Sequence, residues 1–153
     1  KDPSLDHFMD GVHPCDVRWS DMINAIRAAA PDVPITVWCN EDTPLIWPQI
    51  LRELGGLEHD AHVEGGYNIL RDIMSEEGFS RMEAYLGKYP DLTEMQRRRV
   101  VAAFLDKFAL PDALEEEIEV EGWTQALLED LTERYDEDVF TIKRTPGVTL
   151  IEP

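Results

Sequence analysis

One segment constrains this chain more than any other. Ile35-Thr36-Val37-Trp38-Cys39 carries no charge and is β-branched or aromatic at four of its five positions, which is the composition of a strand. Pro34 bounds it on one side and Asn40-Glu41-Asp42 on the other. A near-continuous apolar strand after a helix and a short turn reads as a buried parallel strand. Such a strand cannot stand alone, because its backbone N–H and C=O groups need partners in a sheet. Its neighbours come either from the tail of the chain or from a part of the protein outside these residues.

Most of the remaining pattern is helical. Trp19, Met22, Ile23 and Ile26 sit at helical spacing in a segment that runs to Ala30 and stops at Pro31. Thr43-Pro44 reads as an N-cap followed by proline at the first helical position. Pro48 lacks a backbone donor, so the pattern predicts a turn over 44–47 and a helix over 48–54, ended by Gly55-Gly56. A loop follows over 57–66. Ile69, Leu70 and Ile73 mark one face of a helix that begins near Tyr67. Ser75 caps a helix to about Lys88, with Phe79, Met82 and Leu86 inward. Thr93-x-x-Gln96 is a capping box. It opens the most periodic helix in the chain, with Val100, Phe104 and Phe108 in one row and Val101 and Leu105 beside them. Residues 112–118 suit a short helix, and Trp123 to about Tyr135 a longer one. Val139–Ile142 and Val148–Ile151 read as strands, the second after a turn at Thr145-Pro146-Gly147. Residues 1–14 read as an irregular arm, in which only Leu5, Phe8, Met9 and Val12 suit a short amphipathic turn. The expected architecture is one helix-rich α/β domain over 1–153, with a few strands of which one (35–39) is buried.

The 153 residues hold 14 Lys and Arg against 32 Asp and Glu, a net charge of -18. That field repels duplex DNA, RNA and anionic membranes, so neither nucleic acid nor membrane is an expected partner. No apolar run approaches the roughly 18 residues of a membrane span. Cys15 and Cys39 make no disulfide framework, which points to a reducing cytoplasm. Cys39, at the end of an apolar strand, reads as a small filler rather than a nucleophile.

Neither G-x-x-x-x-G-K-[ST] nor G-x-G-x-x-G occurs, and the pairs Gly55-Gly56 and Gly65-Gly66 lie far from any strand-to-helix phosphate turn. His59-Asp60-Ala61-His62 has no cysteine cluster or third ligand nearby and reads as a solvated loop, so no metal site is assigned. Between Pro111 and Phe140, 12 acidic residues face one basic residue, Arg134. No calcium-loop spacing occurs there, and the stretch reads as a solvated acidic face. Arg97, Arg98 and Arg99 form the one dense basic run. On a helix they point about 100° apart and cannot all serve one ligand. Ion pairing with carboxylates, some from 112–138, is the plain reading. An anion site at one or two of them, Arg97 and Arg98, is the other.

The stretch Ile35 to Leu57, ITVWCNEDTPLIWPQILRELGGL, runs a strand into Glu41-Asp42 and then into a helix with a leucine–glycine ending. It resembles the late strand–Glu-Asp–helix segment of bacterial P-loop sulfotransferase-like proteins. The preceding helix and its Ala-Pro-Asp-Val-Pro connection suit that order, and Asn40 stands where an aromatic is common. The resemblance covers roughly 40 of the 153 residues. It implies sulfuryl transfer from 3′-phosphoadenylyl sulfate in the parent protein. The family's donor-holding loop and its Arg/Ser pair precede this segment, and neither motif occurs in these residues. The chain is then expected to be the C-terminal fragment of a larger P-loop-type α/β fold. No cofactor is expected on the chain itself and no catalytic residue is assigned. Its expected partner is the preceding part of the protein or a second copy. Glu41 and Asp42 are the acidic candidates, beside Arg97 and Arg98. The alternative is a non-enzymatic acidic helical protein-interaction domain, in which Glu41-Asp42 merely caps a helix. A fragment exposes the apolar flank of strand 35–39, whereas a self-contained module buries it.

Overall fold

The computed structural model describes residues 4–114 and 122–153. The chain divides into two compact units, Lys1–Val37 with Glu117–Leu150, and Trp38–Glu116 with Ile151–Pro153.

The first unit is built on two helices, α2 (Trp19–Ala29) and α8 (Gln125–Lys143). A five-residue α1 (Leu5–Met9), capped by the Ser4 side chain, replaces part of the expected irregular arm. Arg18 stands at the N-cap of α2 and gives it no side-chain cap. The carboxylate of Asp138, from α8, takes that place. Its Oδ2 accepts from the backbone N–H of Trp19 at 2.7 Å and of Ser20 at 3.1 Å, and its Oδ1 accepts from the Ser20 hydroxyl. The N-terminus of a helix favours a negative charge, so this cap also satisfies the helix dipole.

The expected strand at Val139–Ile142 is instead the last turn of α8. Locally these residues are β-branched or aromatic, but helical period runs through them. Leu131, Tyr135, Val139 and Ile142 face inward with Asp138, while Phe140 and Thr141 face solvent. The Thr141 hydroxyl bonds back to the Glu137 carbonyl, and the Arg144 guanidinium lies 3.8 Å above the Phe140 ring. An established helix that buries one row of side chains overrides strand propensity, which is a weak prior.

Strands β1 (Ile35–Trp38) and β2 (Val148–Ile151) form a two-stranded parallel sheet, so the tail supplies the neighbour. Ile35 N–H donates to the Gly147 carbonyl at 3.1 Å. The expectation of a buried strand over 35–39 is corrected. β1 ends at Trp38, Thr36 is exposed, and its other residues are only half-buried. A two-stranded sheet has too little around it to cover both faces.

In the second unit α3 (Thr43–Gly55) runs without a break through Pro48, correcting the expected turn at 44–47. Asp42, not Thr43, is the N-cap, and Thr43 is already helical. The proline ring fixes a helix-compatible φ and leaves only the Pro44 carbonyl without its usual donor. Against that loss, Ile46 and Ile50 bury completely, one turn apart, and pack with Ile151. Gly56, at φ 60°, ends the helix in the left-handed conformation.

The larger core joins α4 (Leu70–Ile73), α5 (Glu76–Lys88) and α6 (Glu94–Phe108). Its buried members are Leu70, Met74, Phe79, Met82, Leu86 and Val101. The Ser75 cap and the reciprocal Thr93–Gln96 capping box both form. The stripe on α6 is as expected, except that Val101 is its fully buried member and Phe104 and Phe108 are half-buried. The helix expected from Tyr67 begins only at Leu70, after turns. α7 (Pro111–Leu114) begins the short helix expected over 112–118, and residues 115–118 lie outside the described residues.

Candidate functional site

Two places in the second unit gather groups with chemistry. The first is the turn between β1 and α3. Asn40–Asp42 folds as a single 3-10 turn, steadied by a bond between the Thr43 hydroxyl and the Asn40 side-chain oxygen. The Asp42 carboxyl binds its proton more tightly than usual. Partial burial is the main cause, followed by the charges of Glu41 and Glu152. Glu152 directly follows β2, so three carboxylates gather where the two parallel strands end.

Because the folded-state value of Asp42 lies above the unfolded one, its ionised form costs stability. The cost is absent below the ordinary carboxylate range and develops as pH rises through the raised value. Asp42→Asn should therefore raise the thermal midpoint at pH 7. The gain should close as pH falls below about 4, the unperturbed carboxylate range, as calorimetric scans across pH can test.

The second place lies around Arg97. Arg97 and Arg98 diverge, as adjacent helical positions must. Arg98 turns toward α3, donating to the Glu152 carbonyl at 2.7 Å and to the Gln49 side-chain oxygen. Arg97 donates from Nε to the Leu92 carbonyl at 3.0 Å and from Nη2 to the Pro90 carbonyl. Among the described residues the carboxylate beside Arg98 is Glu94, on the same helix; of the acids expected from 112–138, those at 115–121 lie outside the described residues. The Glu94 Oε1 lies 3.6 Å from Arg98 Nε and 3.3 Å from Arg52 Nη2. Arg99 is exposed.

Arg97 also lines a cleft of about 770 Å³, together with Arg52, His59, His62, Tyr67 and Asn68. The loop read as merely solvated thus forms one wall. Among the described residues no three His, Cys, Asp or Glu come together as a metal site. Arg52 is buried, with its side chain only 10% exposed, and its Nε has no hydrogen-bond partner. Tyr67 is held above the usual phenol range, first by burial and then by Glu94. The positive charge of Arg97 opposes that rise. At neutral pH the phenol therefore keeps its proton.

The sequence reading singled out Arg97 and Arg98 but missed Arg52 and Tyr67. Arg52 sits in an ordinary exposed-looking helical position, Leu51-Arg52-Glu53, and only the fold buries it. The one available signal for Tyr67 was Gly65-Gly66 before it, which lets the chain turn tightly beside α3. Gly66 is buried, and a Cβ there would lie 3.3 Å from the Pro48 ring. Comparison of the chain with protein-family models, with curated proteins and with solved structures returns no match.

Proposed function

We propose that this chain is the C-terminal, acceptor-side region of a sulfotransferase-like protein, with the Glu41-Asp42 turn as its proton-accepting element. One observation carries the reading. The carboxyl ends of β1 and β2 lead to Glu41, Asp42 and Glu152, and Asp42 has a raised affinity for a proton. In open α/β sheets, ligands bind outside the carboxyl ends of parallel strands, and a carboxylate with a raised pKa is suited to act as a general base. Transfer of a sulfuryl group to a hydroxyl forms the new S–O bond, breaks the bond to the donor phosphate and releases the hydroxyl proton. In this reading Asp42 takes that proton, which its raised proton affinity supports. The half-burial of β1 agrees with a strand made for a larger sheet.

The test has two arms. The chain alone should not bind 3′-phosphoadenylyl sulfate in calorimetry, because it lacks a phosphate cradle and carries a charge of -18. Micromolar binding there overturns the reading. In a longer protein with a strand and a Gly/Ser/Thr-rich turn upstream, Asp42→Asn should slow sulfuryl transfer by about 10²–10⁴-fold and leave donor affinity unchanged. Full turnover in both Asp42→Asn and Glu41→Gln also overturns it.

A second reading, an acidic interaction domain, is favoured by a different observation. Trp19, Met22 and Ile26 form a row on α2, and each is about half exposed, at 55%, 49% and 47%. An apolar row left in water commonly marks a protein contact. If the longer protein neither binds the donor nor transfers sulfuryl groups, this reading takes its place.

A further inference from the structure

The exposed row on α2 continues into a recess of the same unit. Trp19 lines that recess, of about 260 Å³, with Pro14, Cys15, Val17, Leu131 and Tyr135. The volume falls short of a small-molecule site and suits one large side chain, as the anchor pockets of protein interfaces do. From the recess the apolar face runs through Met22 and Ile26, with Ala25 and Ala29 exposed beside them, while Ser20 and Ile23 are buried on the other side of the helix. Small side chains between larger ones let a second helix lie close. Trp19 to Ala29 spans about 15 Å, three turns of such a helix. The charges at this face are unequally engaged. Glu137 takes both nearby guanidiniums, 3.5 Å from Arg18 and 3.2 Å from Arg134. Arg27, the remaining cation of α2, lies half-buried against Gly147. Asp16 follows Cys15 in the turn that lines the recess, and Asp21 precedes Met22. Both are exposed, and no cation pairs with either among the described residues. Apolar surface and negative charge are what this face offers a partner.

We propose that this face docks a basic amphipathic helix of another protein, with one large apolar side chain seated in the recess, its apolar row along Met22 and Ile26, and its Lys or Arg residues beside Asp16 and Asp21. This is the helix-in-groove mode of recognition. A chain of net charge -18 attracts a basic partner and repels a second copy of itself. The proposal names the partner for the row already read as a protein contact. It rests on that reading and does not depend on sulfuryl transfer.

Two synthetic helical peptides of about 14 residues, four turns, test it by calorimetry on the whole chain at about 0.15 M salt. Both carry one leucine row with a tryptophan in it, and the other face is lysine in one and glutamate in the other. The lysine peptide should bind saturably and the glutamate peptide should not. Met22→Ser and Ile26→Ser should each weaken the lysine peptide by about 10-fold or more, the scale of an interface hot spot. Asp16→Asn combined with Asp21→Asn should weaken it several-fold and flatten its salt dependence. Glu53→Gln combined with Glu58→Gln removes as much exposed charge from the second unit and should change nothing. Thermal midpoints identify a variant that fails to fold, and either apolar substitution carries the test without the other. If the glutamate peptide binds as tightly, or the Glu53 and Glu58 pair weakens binding as much as the Asp16 and Asp21 pair, the row remains a contact but the basic partner is overturned. If the lysine peptide shows no saturable binding up to about 1 mM, or folded Met22→Ser and Ile26→Ser bind it as the parent does, the reading of the row as a contact falls with the proposal.

Discussion

Asp138→Ala is expected to destabilise the first unit by about 3–4 kcal/mol, measured by urea unfolding followed by circular dichroism. The carboxylate is 4% exposed and accepts three hydrogen bonds at the start of α2. Removing it leaves the N–H groups of Trp19 and Ser20 and the Ser20 hydroxyl without their partner. Each buried donor so stranded costs about 1–3 kcal/mol. Water entering the gap relieves part of that sum, and the lost charge–dipole attraction adds back up to about 2 kcal/mol. Asp138→Asn keeps one accepting oxygen but no charge, so about half the loss should remain. Since whole domains are stable by only about 5–15 kcal/mol, the alanine variant should unfold well below the parent in urea. A loss under about 1 kcal/mol would show that solvent caps α2 as well as Asp138 does, and that the α2–α8 pairing rests on apolar packing alone.

The second large effect runs against helix propensity. Gly78 lies inside α5, where alanine is intrinsically better by about 1 kcal/mol. Gly78→Ala should nevertheless cost about 2–3 kcal/mol net, the range of overpacked cores. A Cβ at this position would collide with Cβ of Phe108 and lie 2.6 Å from its Cγ. Those atoms sit next to the α6 backbone, so rotating the phenyl ring cannot relieve the clash and the end of α6 must move. The Ser75 N–H bond to the Phe108 carbonyl and the Leu110 N–H bond to the Ile73 carbonyl tie that end down. Gly78→Val should prevent cooperative folding. If Gly78→Ala melted at or above the parent temperature, the close approach of α5 and α6 would be wrong.

What the sequence revealed was local, and what it hid was distant. The capping box at Thr93, the Ser75 cap, the Gly56 terminator and the turn before β2 each depend on residues a few positions apart. Their physics is complete within one turn of chain. The cap on α2 depends on a residue 118 positions away from Ser20, and no local pattern announces it. The end of α8 misled for the opposite reason. Four residues of strand-like composition outweighed a helical period that becomes evident only when Leu131 and Tyr135 are counted with Val139 and Ile142. Pro48 misled because its local cost was visible while the burial of Ile46 and Ile50 that offsets it was not. In the cleft, Arg97 was legible as part of a basic run. Arg52 and Tyr67 were not, since burial and neighbours make their chemistry and a single sequence shows neither.

The order of the two units along the chain also bears on synthesis. Residues 38–116 are one uninterrupted stretch of the second unit, whereas the first unit is split around them. As the polypeptide emerges, α5 and α6 can meet as soon as Phe108 is free, but α2 must wait for Asp138. At about 5–20 residues per second, α2 spends several seconds or more without its cap and with Ile23, buried in the folded chain, uncovered. Ile46 and Ile50 wait similarly for Ile151, about a hundred residues later. During that interval the nascent chain displays two unfinished apolar surfaces, around Ile23 and at Ile46-Ile50, and these are where a chaperone would engage it.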